Sequence, residues 1–223
     1  MAAGGTSDAG SLALEQLCKS YWPPIYAHLR RKGLDVHQAQ DLTQEFFMRL
    51  LAARSFADVS PAKGRFRSFL LAALKHFLLN EWKKDNAQKR GGGKTLIHFD
   101  SLDAATRDSC EPRATEDPEQ AYERRWSLTL LARVSGQLKK EYAAVNQLER
   151  HEALKSYLLD AEESANYAST AAQLGISEAA TKSAIYKIRQ RFGQLLRAEI
   201  SRTVTTEDEV EDELRHLITS LHR

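Results

Sequence analysis

Apolar residues recur every three to four positions along most of the chain, which is the period of a helix and not of a strand. Leu14, Leu17, Tyr21, Ile25 and Leu29 make one stripe, and Ala39, Leu42, Phe46 and Leu50 a second. Phe66, Phe69, Leu70, Ala73, Leu74, Phe77 and Leu78 crowd a third segment. Trp126, Leu130, Val134, Leu138 and Tyr142 begin a second series, which runs through Leu148, Leu154 and Leu158 to Ile185, Ile188, Phe192, Leu195 and Leu196. Glycine (11) and proline (5) are scarce among 223 residues, and β-branched runs are absent, so strands have little to grow from. The expected fold class is all-α: two small helical domains on a flexible linker, the second containing a helix-turn-helix, plus a C-terminal acidic helix.

Breaks in the periodicity set the boundaries. Helices are expected over about Ser11–Lys32, Val36–Ala53 and Arg65–Lys84, with Pro23-Pro24 breaking or kinking the first and Gly33 ending it. Residues 91–117 open on three glycines and show no period, as a linker does. Asp117-Pro118 reads as a helix start. Ser177 reads as an N-cap, and Thr206 with Glu209 as a capping box. The domains are therefore placed at 11–90, 118–202 and 203–223, the last an acidic helical extension. Its stripe of Val210, Leu214, Leu217 and Leu221 is expected to pack on the second domain; the alternative is an acidic cover that holds the protein off DNA.

A net charge of +2 hides a strong pattern. Between Lys63 and Lys94 stand nine Lys/Arg and two acids, between Lys182 and Arg202 six and one, and Glu207 to Glu213 holds six acids and no base. Two basic islands suggest two contacts with a polyanion. Catalysis finds no support: no nucleophile–base set and no carboxylate pair stands at informative spacing. Gly93-Lys94-Thr95 resembles the end of a phosphate loop, but Gln88 stands where its first glycine belongs and a helix precedes it. Cys18 and Cys110 are far apart and read as free thiols. No metal or other cofactor is expected. No apolar run nears the ~20 residues of a membrane span, and Met1 to Gly10 lacks a secretion signal, so a cytoplasmic, membrane-free protein is expected.

Three segments carry candidate function. Leu174-Gly175-Ile176-Ser177 leads into a basic amphipathic helix, a helix-turn-helix pattern whose second helix fits a major groove. Lys182, Ser183, Tyr186, Lys187, Arg189 and Arg191 are its expected exposed side chains. The basic, aromatic helix from Arg65 carries His76, Asn80, Lys83 and Lys84 in one sector, suited to an unpaired strand; Phe69 and Phe77 read as core. Asp41, Gln44 and Glu45 form an acidic edge suited to a basic partner.

In order, Asp41-Leu-Thr-Gln-Glu-Phe-Phe47, Phe66-Arg-Ser-Phe-Leu70, Trp82-Lys-Lys84 and Leu174-Gly-Ile-Ser177 with Thr181-Lys-Ser183 resemble extracytoplasmic-function sigma factors, over about Leu12–Arg90 and Pro118–Ile200. The resemblance implies a non-enzymatic sigma factor that binds core RNA polymerase, through its β and β′ subunits, and directs promoter recognition and opening. It implies that Asp41, Gln44 and Glu45 dock on the β′ clamp. Phe66, Arg67, His76, Asn80, Lys83 and Lys84 would engage the minus-ten element, with a flipped base held in the loop before that helix. Ser177, Thr181, Lys182, Ser183, Tyr186, Lys187 and Arg189 would read the minus-thirty-five element. An anti-sigma regulator fits the same picture. The sequence departs from the family at Leu138-Lys-Lys-Glu141, Ser169-Thr170, Ala180 and Ala184, where residue-level promoter contacts are least secure. A stand-alone helix-turn-helix regulator, needing no polymerase, is the alternative.

Overall fold

The computed structural model describes residues 5–52, 65–88, 112, 115–158 and 166–222, with side chains described from residue 18 onward except at 84–88. Among these residues every regular element is helical and none is a strand: α1 (Gly5–Arg31), α2 (Val36–Ala52), α3 (Phe66–Gln88), α4 (Pro118–Ala144), α5 (Leu148–Leu154) running into a 3-10 turn (Lys155–Leu158), α6 (Tyr167–Leu174), α7 (Glu178–Ser201) and α8 (Glu207–His222). The fold is all-α, as the periodicity predicts. Most of the expected linker, and the loop before α3, lie outside the described residues. The chain divides into two units, Met1–Thr129 with Thr203–Arg223, and Leu130–Arg202.

In the first unit α1 continues through Pro23 and Pro24 without a break. Each proline removes a backbone donor, a cost of about 3 kcal/mol in a helix interior. Ile25, Tyr26 and Leu29, all wholly buried just beyond, offset it by packing. Gly33 adopts φ 90° and turns the chain out of α1, with the Leu34 N–H bonding the Leu29 carbonyl. Asp35 and Gln38 then exchange side-chain-to-backbone hydrogen bonds of 2.9 and 3.1 Å, a reciprocal cap that starts α2. Leu70 and Leu74 of α3 and Tyr122 of α4 complete the buried centre.

Asp117 and Gln120 cap α4 in the same reciprocal way, with Pro118 at its first position. The first three turns of α4 group with the first unit, not with the second as the boundary at 118 had it. They are held there because Tyr122 donates to the Arg67 carbonyl at 3.0 Å, and because the Pro118 carbonyl accepts from His28 Nδ1 at 2.8 Å.

His28 Nε2 is buried with no partner among the described residues. Burial therefore favours the neutral ring and lowers its pKa to about 4. A base with a depressed folded-state pKa binds its proton more readily when unfolded. Its stabilising effect is complete above the unfolded value near 6.5 and drains away as pH falls toward 4. Urea melts should show wild type losing about 3 kcal/mol more than His28→Asn over that interval; parallel curves would contradict this.

The C-terminal helix departs furthest from expectation: α8 belongs to the first unit. Its capping box is present, Glu209 N–H bonding Thr206 Oγ1 at 3.3 Å and Glu209 Oε2 accepting from the Thr206 N–H at 3.2 Å. Val210 and Leu217 are buried, Ser220 meets Ser127 at 2.6 Å, and the Thr203 carbonyl accepts from the Phe66 N–H at 3.2 Å. What fixes the choice of unit is Glu213, 1% exposed within that stripe, which accepts two hydrogen bonds from Arg67 at 3.0 and 3.1 Å. A carboxylate buried in an apolar stripe requires a cation facing it, and α3 supplies one.

The second unit buries Leu131, Val134 and Leu138 of α4, Leu154 of α5, and Ile185, Ile188, Phe192, Leu195 and Leu196 of α7. The α7 set is the one its periodicity predicts. Glu141 of α4 receives both ends of the Arg191 guanidinium at 2.7 and 2.8 Å, which pulls its carboxyl below the usual carboxylate range. Glu199 pairs with Arg133 at 3.2 Å and Arg202 at 2.6 Å.

Candidate nucleic-acid interface

On α3 one face is spent on the core and the opposite one is open. Phe66, Leu70, Leu74 and Phe77 are buried, and Leu71 with them. His76, Asn80 and Lys83 are exposed, at spacings of four and three that keep them on one side. Beside them Leu79 and Trp82 stand out of the core, 55% and 66% exposed. An exposed tryptophan beside an exposed leucine is costly to keep in water, and alongside polar and basic neighbours it offers a base a surface to stack on. The Trp82-Lys83 pair was legible in sequence only as a family motif; its exposure is what marks Trp82 as a candidate. Lys84 lies on the same helix, but its side chain falls outside the described set.

Two residues expected on this surface are not there. Phe66 is buried, stacking edge-on against Tyr21 at 5.1 Å. Arg67, 5% exposed, is enclosed by Glu213, Glu123 and the Trp126 ring, whose centroid lies 5.1 Å from its guanidinium carbon. Burial alone would lower its pKa, but the hydrogen bonds it donates to Glu213 and the charge of Glu123 outweigh it and raise the value. Sequence spacing could not distinguish Arg67 from a surface arginine, because its partners lie 56 and 146 residues away.

The acidic edge of α2 is divided. Asp41 is exposed. Gln44 turns its amide nitrogen into a buried position with no partner among the described residues. Glu45 is half-buried and paired with Arg49, which also holds the buried Glu81 at 2.6 Å and lies over the Phe77 ring. Of the three, Asp41 is the one freely presented to a partner.

In the second unit, α6 ends at Gly175 with φ 63°, a left-handed turn glycine makes without penalty. The Ser177 hydroxyl accepts from the Ala180 N–H at 3.2 Å and starts α7. Lys182, Ser183, Tyr186 and Lys187 are exposed on α7, Tyr186 by 68%. Lys182 lies 5.2 Å above the Tyr167 ring, itself stacked on Tyr157. Two further expected contacts turn inward. Thr181 is wholly buried and donates to the Ser177 carbonyl at 3.1 Å. Arg189 is half-buried, its Nε bonding the Tyr157 carbonyl at 2.7 Å. Arg191, although exposed, is held by Glu141.

Residues 17–88 match the family model described as Sigma-70 region 2, a span that covers α2, α3 and most of α1. The chain carries a sigma-70 region 2 domain. The open face of α3 and the exposed Asp41 lie within the matched residues. No curated protein and no solved structure matches the chain. No helix among the described residues is long and apolar enough to cross a membrane.

Proposed function

We propose that the chain is a sigma factor of the extracytoplasmic-function type, a non-enzymatic subunit that joins bacterial core RNA polymerase and directs it to promoter DNA. The region 2 match over residues 17–88 carries this reading. The open face of α3, with His76, Asn80, Trp82 and Lys83, supplies stacking and phosphate contacts for an unpaired minus-ten strand. Asp41 offers the docking charge for the polymerase clamp. Helices α6 and α7 act as a helix-turn-helix, with Lys182, Ser183, Tyr186 and Lys187 facing the minus-thirty-five duplex and Ser177 capping the reading helix. Opening DNA this way needs no covalent chemistry, only tighter binding of the separated strand than of the duplex.

The docking role predicts that Asp41→Lys lowers affinity for core polymerase at least about tenfold with helical content unchanged. Co-elution of the variant with core enzyme at wild-type strength would contradict it. For the duplex contact, each phosphate engaged contributes about −0.9 to the slope of log affinity against log salt. Replacing both Lys182 and Lys187 by alanine should therefore flatten that slope by about 2. An unchanged slope in a titration with duplex DNA from 50 to 200 mM KCl would remove α7 from the interface.

A further inference from the structure

A second group of accessible cations stands beside the N-terminal end of α3. Arg65 stands immediately before α3, one position ahead of its first residue, Phe66. Its Nε and the Arg67 Nη2 approach the same oxygen of Glu213, so Arg65 flanks the start of α3 where α8 packs on it. Unlike Arg67 it is partly accessible, with 30% of its side chain exposed. It does not face solvent alone, because Asp212 of α8 takes its Nη2 at 2.6 Å and Glu213 lies 3.3 Å from its Nε. The other oxygen of Asp212 accepts from Arg215 at 2.5 Å, and Arg215 is 74% exposed. Two accessible guanidinium groups therefore converge on one half-exposed carboxylate beside the N-terminal end of α3.

We propose that Arg65, with Arg215, is a phosphate-binding site for the nucleic-acid strand lying along α3, and that Asp212 occupies it in the absence of nucleic acid. A carboxylate and a phosphate present the same paired oxygens to arginine, so one replaces the other without rebuilding the site. The buried Arg67–Glu213 pair keeps α8 in place while the half-exposed pair exchanges, so the helix need not detach. The acidic helix then acts as an affinity governor: a strand must displace Asp212 to gain its first contact. This inference rests on the nucleic-acid role proposed for region 2.

The test is a fluorescence titration of the full chain with a labelled single-stranded oligonucleotide at 50–200 mM KCl. Asp212→Asn should tighten binding about three- to tenfold and steepen the salt slope by about 0.7 for each phosphate gained. Arg65→Ala should weaken binding by a similar factor, and Asp212→Asn added to Arg65→Ala should then change little. Thermal melting of each variant near the wild-type midpoint accompanies the expected result, because both side chains are partly exposed. Equal affinity and slope for Asp212→Asn and wild type would overturn the inference and leave the proposed function standing. Equal tightening in the Arg65→Ala background would overturn it too, since the lost charge would then act without Arg65. A wild-type chain that fails to bind the oligonucleotide at 50 mM KCl would contradict the function itself.

Discussion

Arg67→Ala should destabilise the first unit by about 3–5 kcal/mol, the usual consequence of removing one partner from a buried ion pair. The substitution leaves buried Glu213 with only its 3.3 Å contact to Arg65, takes from Glu123 its buried cation, and empties the space beside Trp126. Glu213 is 1% exposed and loses both of its hydrogen bonds from Arg67, so the loss is of a buried carboxylate's main partner rather than of one hydrogen bond alone. Arg67→Met combined with Glu213→Leu should recover most of that loss, because two apolar side chains of similar volume need no partner. Trp22, Trp82 and Trp126, all the tryptophans of the chain, lie in this unit, so tryptophan fluorescence in urea reports on it selectively. A single variant within 1 kcal/mol of wild type would mean that the pair is not holding α8 to α3.

Trp82→Ala should have the opposite profile. With 66% of Trp82 exposed, its removal should change stability by no more than about 0.5 kcal/mol. Stacking of one base on an aromatic ring contributes about 1–3 kcal/mol, so affinity for a single strand should fall between roughly five- and 150-fold. Trp82→Phe should recover part of it, since the ring and not the indole nitrogen provides the platform. An alanine variant that melts early, or binds as wild type does, would place the indole in packing or in open solvent and remove Trp82 from the interface. Arg67 and Trp82 together separate the buried and the displayed sides of one helix by experiment.

The local grammar of the fold was legible in sequence. Asp117-Pro118, Ser177 and the Thr206–Glu209 box each start the helix they announce, because a cap depends on residues at most four apart. The α7 stripe likewise predicts its own buried set. What the sequence leaves open is the identity of a distant partner. The stripe of α8 signals that the helix packs on something, but an apolar face does not name its target; Glu213 does so only once Arg67 is seen opposite. The same reason explains the site residues that turned inward. Phe66, Arg67 and Arg189 have the chemistry of a nucleic-acid surface, and each is engaged by a distant neighbour that spacing alone cannot reveal, whereas Thr181 turns back onto the Ser177 carbonyl four residues earlier. Pro23-Pro24 does not break α1 because local propensity is set against packing whose strength only the wholly buried Ile25, Tyr26 and Leu29 disclose. In the other direction, Trp82 is ordinary in sequence and becomes informative through exposure.

The most direct measurement is transcription in vitro, with bacterial core RNA polymerase, this chain and genomic DNA as template, followed by sequencing of the 5′ ends. A sigma factor should yield transcripts that start at a few discrete positions, each preceded by a shared pair of short upstream motifs, and none of them without the added chain. Core polymerase that neither retains the protein nor initiates at new positions would contradict the account, whatever the protein's affinity for DNA alone.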